Sequence, residues 1–181
     1  MQNRQADVFY CDPPWGAGTL KFFENLRAKQ ENIQSTSIPE FDDFITKFFD
    51  VIDRWAKDLV FIEYGKKWAN LILEKSLARG LRHHKTIEVQ YRSGAKLLPS
   101  HLHALSKSGS VQLAYLDQLR HLRGAELVTE ALRPHISPGN LILDPCCGCG
   151  FTAAAALELN ADFYGNEINE VRLAKTIRRF K

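Results

Sequence analysis

No stretch of this sequence approaches the run of about 18 apolar residues that a membrane-spanning helix requires, so no span is expected. The opening residues, Met1-Gln2-Asn3-Arg4-Gln5-Ala6-Asp7, are polar and lack the apolar centre of a secretory leader. Cysteine is scarce: Cys11, Cys146, Cys147 and Cys149 are the only four, and three of them fall within four positions. A disulfide framework spaces its cysteines out. Reduced thiols in a cytoplasmic protein are expected instead. Internal repeats and low-complexity tracts are absent. So is a large charge excess: the net charge is +3, which permits a polyanionic partner without demanding one.

What is present suits a single core. The chain has 181 residues, 45% hydrophobic and 25% charged, within the usual range of about 100–200 residues for one domain. Residues 1–181 are therefore read as a single domain. Val8-Phe9-Tyr10-Cys11, Leu59-Val60-Phe61-Ile62 and Leu141-Ile142-Leu143 are continuous apolar runs, as in strands covered on both faces. Residues 86–91 alternate like a strand, and Phe163-Tyr164-Gly165 reads as another. Pro39 is expected to open a helix whose apolar stripe is Phe41, Phe44, Ile45, Phe48, Phe49 and Ile52. Further helices are expected from Trp68 to a stop at Gly80, over residues 125–132, over 152–159, and over 170–180. Residues 16–37 read as an exposed segment with at most a short helix, and Gly16-Ala17-Gly18-Thr19 as a candidate lid. Residues 92–110, with Gly94, Pro99 and Gly109, read as irregular. Strands alternating with helices predict an α/β fold, a three-layer sandwich around a mostly parallel sheet.

Ligands of such sheets bind beyond the carboxyl ends of the strands, and two strands here end in Asp-Pro. The first gives Asp12-Pro13-Pro14-Trp15, within a catalytic motif spanning residues 8–19. Two prolines hold the backbone extended, so that the Asp12 carboxylate and the Pro13 carbonyl project together as acceptors. Such a pair suits an exocyclic amine, which has two N–H donors and a lone pair delocalised into its ring. Hydrogen bonds to Asp12 and Pro13 localise that lone pair, and Asp12 stabilises the positive charge that alkylation develops. Trp15 offers a flat face for a base, worth about 1–3 kcal/mol in stacking. A plain strand end with Trp15 in the core is the competing explanation.

The second is strand, glycine-rich turn and helix: Asp144-Pro145-Cys146-Cys147-Gly148-Cys149-Gly150-Phe151-Thr152, inside residues 140–168. Gly148 and Gly150 allow close approach of a ligand to backbone, and the helix start offers free N–H groups. Asn166-Glu167-Ile168 follows the next strand, and an acid there commonly holds ribose hydroxyls, roughly 20 residues beyond the turn. The third glycine of a dinucleotide site is missing, and Asp144 repels a pyrophosphate but suits an ammonium. S-adenosyl-L-methionine carries one, so this is read as its pocket, with Cys11 and Asp12 contributing from the neighbouring strand. Cys146 and Cys149 form a C-x-x-C pair without a second pair, and no metal is expected.

Together the two motifs resemble the amino-methyltransferases of DNA in the permuted arrangement called the beta class, where an Asp-Pro-Pro-aromatic motif precedes the cofactor motif. The usual cofactor motif there is Asp-Pro-Phe-x-Gly-Ser-Gly; here cysteines replace the phenylalanine and the serine. Leu122-Arg123-Gly124-Ala125-Glu126-Leu127 resembles the helix before the cofactor strand. The resemblance covers residues 8–15 and about 122–180. It implies a seven-stranded methyltransferase sheet, base flipping, and methyl transfer to N6 of adenine in DNA, since Asp rather than Ser before Pro-Pro favours adenine. Three other readings stay open. One is an RNA adenine methyltransferase, which shares Asp-Pro-Pro-Trp. Another is a catalytically silent nucleic-acid-binding subunit, which the intact Asp12 opposes. The last is a protein glutamine methyltransferase, opposed because that group has Asn before Pro-Pro.

Members of the family carry a target-recognition region, and the space for one here is residues 92–122. Lys96, His101, His103, Lys107, Arg120, His121 and Arg123 fall in or beside it; Lys96, His101, Lys107, Arg120 and Arg123, with Lys21, are the candidate nucleic-acid contacts. A solvated loop explains the segment equally well. Contacts of this kind grip phosphates and read few base edges, so low specificity, a homodimer or a partner subunit is expected. Arg82-His83-His84-Lys85 and Arg178-Arg179-Phe180-Lys181 read as solvated helix ends.

Overall fold

The apolar runs become the centre of one sheet. The computed structural model describes residues 4–34, 40–93, 95–109 and 111–180. Met1, Gln2, Asn3, Pro39, Gly94 and Lys181 lie outside the described residues. Strands β1 (Ala6–Cys11), β2 (Ala56–Gly65), β3 (Arg82–Ser93), β4 (Lys96–Ser106), β5 (Leu141–Asp144) and β6 (Asp162–Gly165) form a sheet ordered β3-β4-β2-β1-β5-β6. β1 pairs in parallel with β2 and β5, and β5 with β6; β4 runs antiparallel to both β2 and β3. Only β4 is therefore reversed.

Helices cover both faces, which is why the strands are apolar without alternation. On one face Val8, Tyr10, Leu59, Phe61 and Leu102 pack with helices α4 (Gly124–Leu132) and α5 (Phe151–Glu158), through Leu127, Ala131 and Ala155. On the other, Phe9, Cys11, Val60, Ile62 and Tyr64 meet α2 (Phe41–Trp55) and α3 (Ala69–Ala78). The α2 stripe buries Ile45, Phe48, Phe49 and Ile52, each worth about 1.5–3 kcal/mol. Asp42 and Asp43 in its first turn, and Arg54 in its last, suit the helix dipole. The two remaining helices, α1 (Ala17–Glu31) and α6 (Glu170–Arg178), touch beside the β6 edge: Asn169 donates to Gln30, and the Glu170 N–H donates to Glu31, both at 2.8 Å.

Four expectations need correction. Within the expected segment 16–37, whose residues 35–37 lie outside the described ones, residues 16–34 are not mainly exposed coil: α1 is a full 15-residue helix. Its buried face holds Glu24 along with Ala28, so no apolar period betrays it. Arg27, 2.8 Å from Glu24 and 3.6 Å from Glu31, supplies the charge that makes this burial tolerable. Residues 92–110 are not irregular, since most of them form β4. Pro99 is tolerated there because it pairs with Gln90 of β3 while β2 has already ended opposite Ser100. Arg82-His83-His84-Lys85 opens strand β3 and ends no helix. The sheet among the described residues has six strands, where the family resemblance implies seven. Among the described residues no helix is long and apolar enough to cross a membrane.

Candidate active site

β1 is flanked by β2 on one side and β5 on the other, and the chain reaches these neighbours in opposite directions across the sheet. Diverging connections leave a crevice at the carboxyl ends of β1 and β5, the usual ligand position in such folds. A cavity of about 590 Å³ opens there, lined by residues 12–15, 144–149 and 166–169 among others. Two motifs separated by most of the sequence thus share one cleft, of a size that holds a small-molecule ligand.

Asp12 follows β1 directly. Its Oδ1 accepts a hydrogen bond of 2.6 Å from the Trp15 indole N–H. The indole meets Tyr91 edge-on at 5.1 Å and rests on Gly65, where an added Cβ would lie 2.4 Å from the ring. Tyr64 donates to the carbonyl of Pro14 at 3.0 Å; the Pro13 carbonyl accepts nothing among the described residues and remains available. Beneath Asp12 lies a second carboxylate, Glu63, 5% exposed, which accepts from Tyr10 at 3.2 Å and Ser100 at 3.1 Å. Burial pushes Glu63 up to about 7. Asp12 is raised well above the usual carboxylate range, first by desolvation and then by the negative charge of Glu63, against the opposing pull of the Trp15 hydrogen bond. Asp12 keeps some surface in the cleft, but the surrounding protein removes most of the water from its carboxyl group.

The second motif forms a tight turn. Gly148 and Gly150 have φ of +53° and +82°, conformations natural to glycine. Thr176 donates to the Gly148 carbonyl at 3.0 Å, and Arg179 to that of Cys149 at 3.0 Å. Asp144, expected to present a carboxylate to an ammonium, is 3% exposed; its oxygens accept from the Cys146 N–H at 3.0 Å and the Thr152 hydroxyl at 2.6 Å. Its first task is to pin strand, turn and helix together, and burial raises it to about 6. Glu167 caps the next turn through Oε1, which accepts from the Asn169 N–H at 2.8 Å; Oε2 accepts nothing among the described residues.

Of the remaining residues assigned from sequence, Pro145, Cys146, Gly148, Phe151, Thr152, Asn166 and Ile168 line the cavity. Gly150 shapes the turn from outside the lining, packed on Thr176. Cys11 is fully buried behind the turn and does not line the cavity. All four cysteines are free thiols.

The candidate nucleic-acid contacts do not gather into one patch. Lys107 donates to the carbonyls of Asp53 and Ala56 at 2.7 and 2.6 Å. It therefore sits at the starting end of β2, opposite the cavity. Arg120 pairs with Asp117 at 2.9 Å. His101 faces Glu88 at 3.7 Å across the β3–β4 pair. Lys21 is exposed on α1, Lys96 at the start of β4, and Arg123 just before α4. The expected recognition insert at 92–122 contributes strand β4 to the sheet and a short helical turn over Ala114–Leu119. Sequence reasoning missed Tyr10, Glu63, Tyr64, Tyr91 and Arg172, all at or beside the cleft. Glu63 left a trace, being an acid that directly follows the run Leu59-Val60-Phe61-Ile62; the others left none.

Residues 119–178 match the family model N6_N4_Mtase, described as DNA methylase. Over this segment, a third of the chain, the sequence is similar to the DNA methylases. The methylase segment holds α4, the glycine turn, Glu167 and α6, and it excludes Asp12-Pro13-Pro14-Trp15. No curated protein matches the chain in sequence. Solved structures share its fold along 99% of its length. M1.HpyAVI in complex with SAM superposes with a TM-score of 0.68 at 15% identity, over 90% of that chain. TTHA0409 from Thermus thermophilus, complexed with S-adenosyl-L-methionine, gives 0.63 at 16% identity over 87%. The cytosine-N4-specific PvuII DNA methyltransferase gives 0.68 at 13% identity over 82%. Identities this low establish a methyltransferase fold.

Proposed function

We propose that this chain is an S-adenosyl-L-methionine-dependent methyltransferase acting on the exocyclic N6 amine of adenine in DNA, in the permuted motif order. The observation that carries the reading is the single cleft shared by Asp12-Pro13-Pro14-Trp15 and the Gly148–Gly150 turn.

The residues fit the cofactor. Gly148, at positive φ, lines the cleft and lets the turn backbone approach a ligand, and a Cβ there would lie 3.0 Å from Arg172 Nη2. The spare oxygen of Glu167 suits a ribose diol, and Phe151 and Ile168 provide apolar cover for an adenine ring. Bound there, S-adenosyl-L-methionine supplies an electrophilic methyl group. The chain's own residues prepare the acceptor. Asp12 and the Pro13 carbonyl accept the two amine hydrogens, which draws the nitrogen toward a tetrahedral lone pair. Trp15 holds Asp12 in place by its indole N–H, with one edge of the ring left toward the cleft. The Asp12 carboxylate then offsets the positive charge that develops on nitrogen.

Asp12 in place of serine supports adenine over cytosine, by the family resemblance, and the DNA methylase match supports DNA over RNA. The scattered cations support weak target recognition, supplied in part by a second copy or a partner chain. Mass spectrometry of nucleosides from DNA and RNA incubated with the protein and cofactor tests the reading. N6-methyladenine in DNA is expected. N4-methylcytosine, methylated RNA alone, or no methylated base in either polymer would overturn it.

A further inference from the structure

Arg172 is a cation whose charge reaches Asp12 and favours its ionised form, yet which forms no ion pair among the described residues. It stands in the first turn of α6, half-buried, and lines the cleft. Its guanidinium lies 4.6 Å over the ring of Phe23 from α1. On the other side, its Nη2 comes within 3.0 Å of where a Cβ on Gly148 would be. The group is thus held between an aromatic ring and the glycine turn. Its side chain makes no hydrogen bond and no ion pair to any described residue. Arg27, also on the cleft wall, pairs with Glu24 and Glu31.

A guanidinium carries five N–H donors, and in Arg172 none is engaged by an acceptor among the described residues. Stacking fixes the plane of the fork, and a fixed fork matches a planar anion with two oxygens. Arg172 sits against Gly148 of the glycine turn, and its charge also reaches Asp12 and Tyr91. It thus stands between the two motifs, on the turn that approaches a small ligand with its backbone.

We propose that Arg172 binds the carboxylate of the methionine portion of S-adenosyl-L-methionine and makes the cleft selective for ligands that carry it. The inference rests on the methyltransferase reading and adds a residue that neither motif contains. It also explains how a cleft containing Asp12, Glu63, Asp144 and Glu167 accommodates an anionic group at all.

Titration calorimetry on the whole chain tests it with two ligands. One is S-adenosylhomocysteine; the other is S-adenosyl-3-thiopropylamine, the same molecule without its carboxylate. Arg172→Gln is expected to weaken S-adenosylhomocysteine about tenfold or more and to leave the decarboxylated ligand within twofold. Arg172→Lys should fall between wild type and Arg172→Gln for the first ligand only. Unchanged S-adenosylhomocysteine binding in Arg172→Gln, or equal loss for both ligands, overturns the assignment. An increase in KM for DNA with cofactor binding intact would assign Arg172 to a phosphate, and overturns it too. Failure of the wild-type chain to bind either ligand would instead remove the methyltransferase reading on which the inference stands.

Discussion

The indole N–H of Trp15 donates to Asp12 Oδ1 at 2.6 Å, so the aromatic residue of the first motif orients the acid that opens it. Stacking alone would be served by any aromatic ring. The hydrogen bond requires a donor on the ring edge, which phenylalanine lacks. Trp15→Phe is therefore expected to lower the rate of a single turnover about tenfold or more while leaving the dissociation constant for S-adenosylhomocysteine within a few fold. An unchanged single-turnover rate would show that Trp15 acts only as a surface.

Gly65 makes that geometry sterically possible. A Cβ there would lie 2.4 Å from Cε3 and 2.7 Å from Cδ2 of Trp15, so Gly65→Ala must push the indole away from Asp12. Overpacking of this kind costs about 1–3 kcal/mol. The expected outcome is a lower Tm by calorimetry together with a loss of turnover at least as large as that of Trp15→Phe. A variant with wild-type activity would mean that the indole has room to shift without releasing Asp12.

The two motifs should separate in their effects. Asp12→Ala is expected to abolish turnover and leave cofactor affinity within a few fold. Glu167→Ala should weaken cofactor binding, measured by calorimetry, and lower turnover only as far as saturation is lost. The reverse pattern would exchange the two sites.

These contrasts explain what was legible in the sequence. Continuous apolar runs at Val8-Phe9-Tyr10-Cys11 and Leu141-Ile142-Leu143 announced buried parallel strands, because both faces of such strands are covered. The Asp-Pro ends and the glycine pair announced the cleft, because the chemistry is contiguous in the chain. β4 was missed because Pro99 and its serines and histidines imitate a loop; Pro99 is allowed only because β2 stops one residue earlier in register. α1 was missed because Glu24, a buried acid, occupies its inward face. Tyr10, Glu63 and Arg172 were missed because each acts through partners from another element. A pairing such as Tyr10 with Glu63 exists only after the strands have aligned.

Glu63 gives the cleft a pH dependence whose sign can be stated. Its carboxyl is raised from 4.5 to about 7 by burial, so the folded chain holds this proton more tightly than the unfolded chain does. Its stabilising effect is complete below the unfolded value and is lost as pH rises through 7. The full difference is about 3 kcal/mol at about 1.4 kcal/mol per pH unit. Glu63→Gln removes the titration, so the variant should gain stability relative to wild type between pH 5 and 8. That gain should appear as a Tm difference that grows with pH. Above about 7, where Glu63 is ionised, the same substitution removes a negative charge that raises Asp12. Asp12 must be ionised to accept the amine hydrogens, so the acid limb of the single-turnover rate should move to lower pH in Glu63→Gln. Asp144 is also raised, to about 6, but both proteins share it, and it cancels in the comparison. Parallel Tm curves and an unmoved acid limb would show that Glu63 is ionised in the folded chain throughout this range and does not control Asp12.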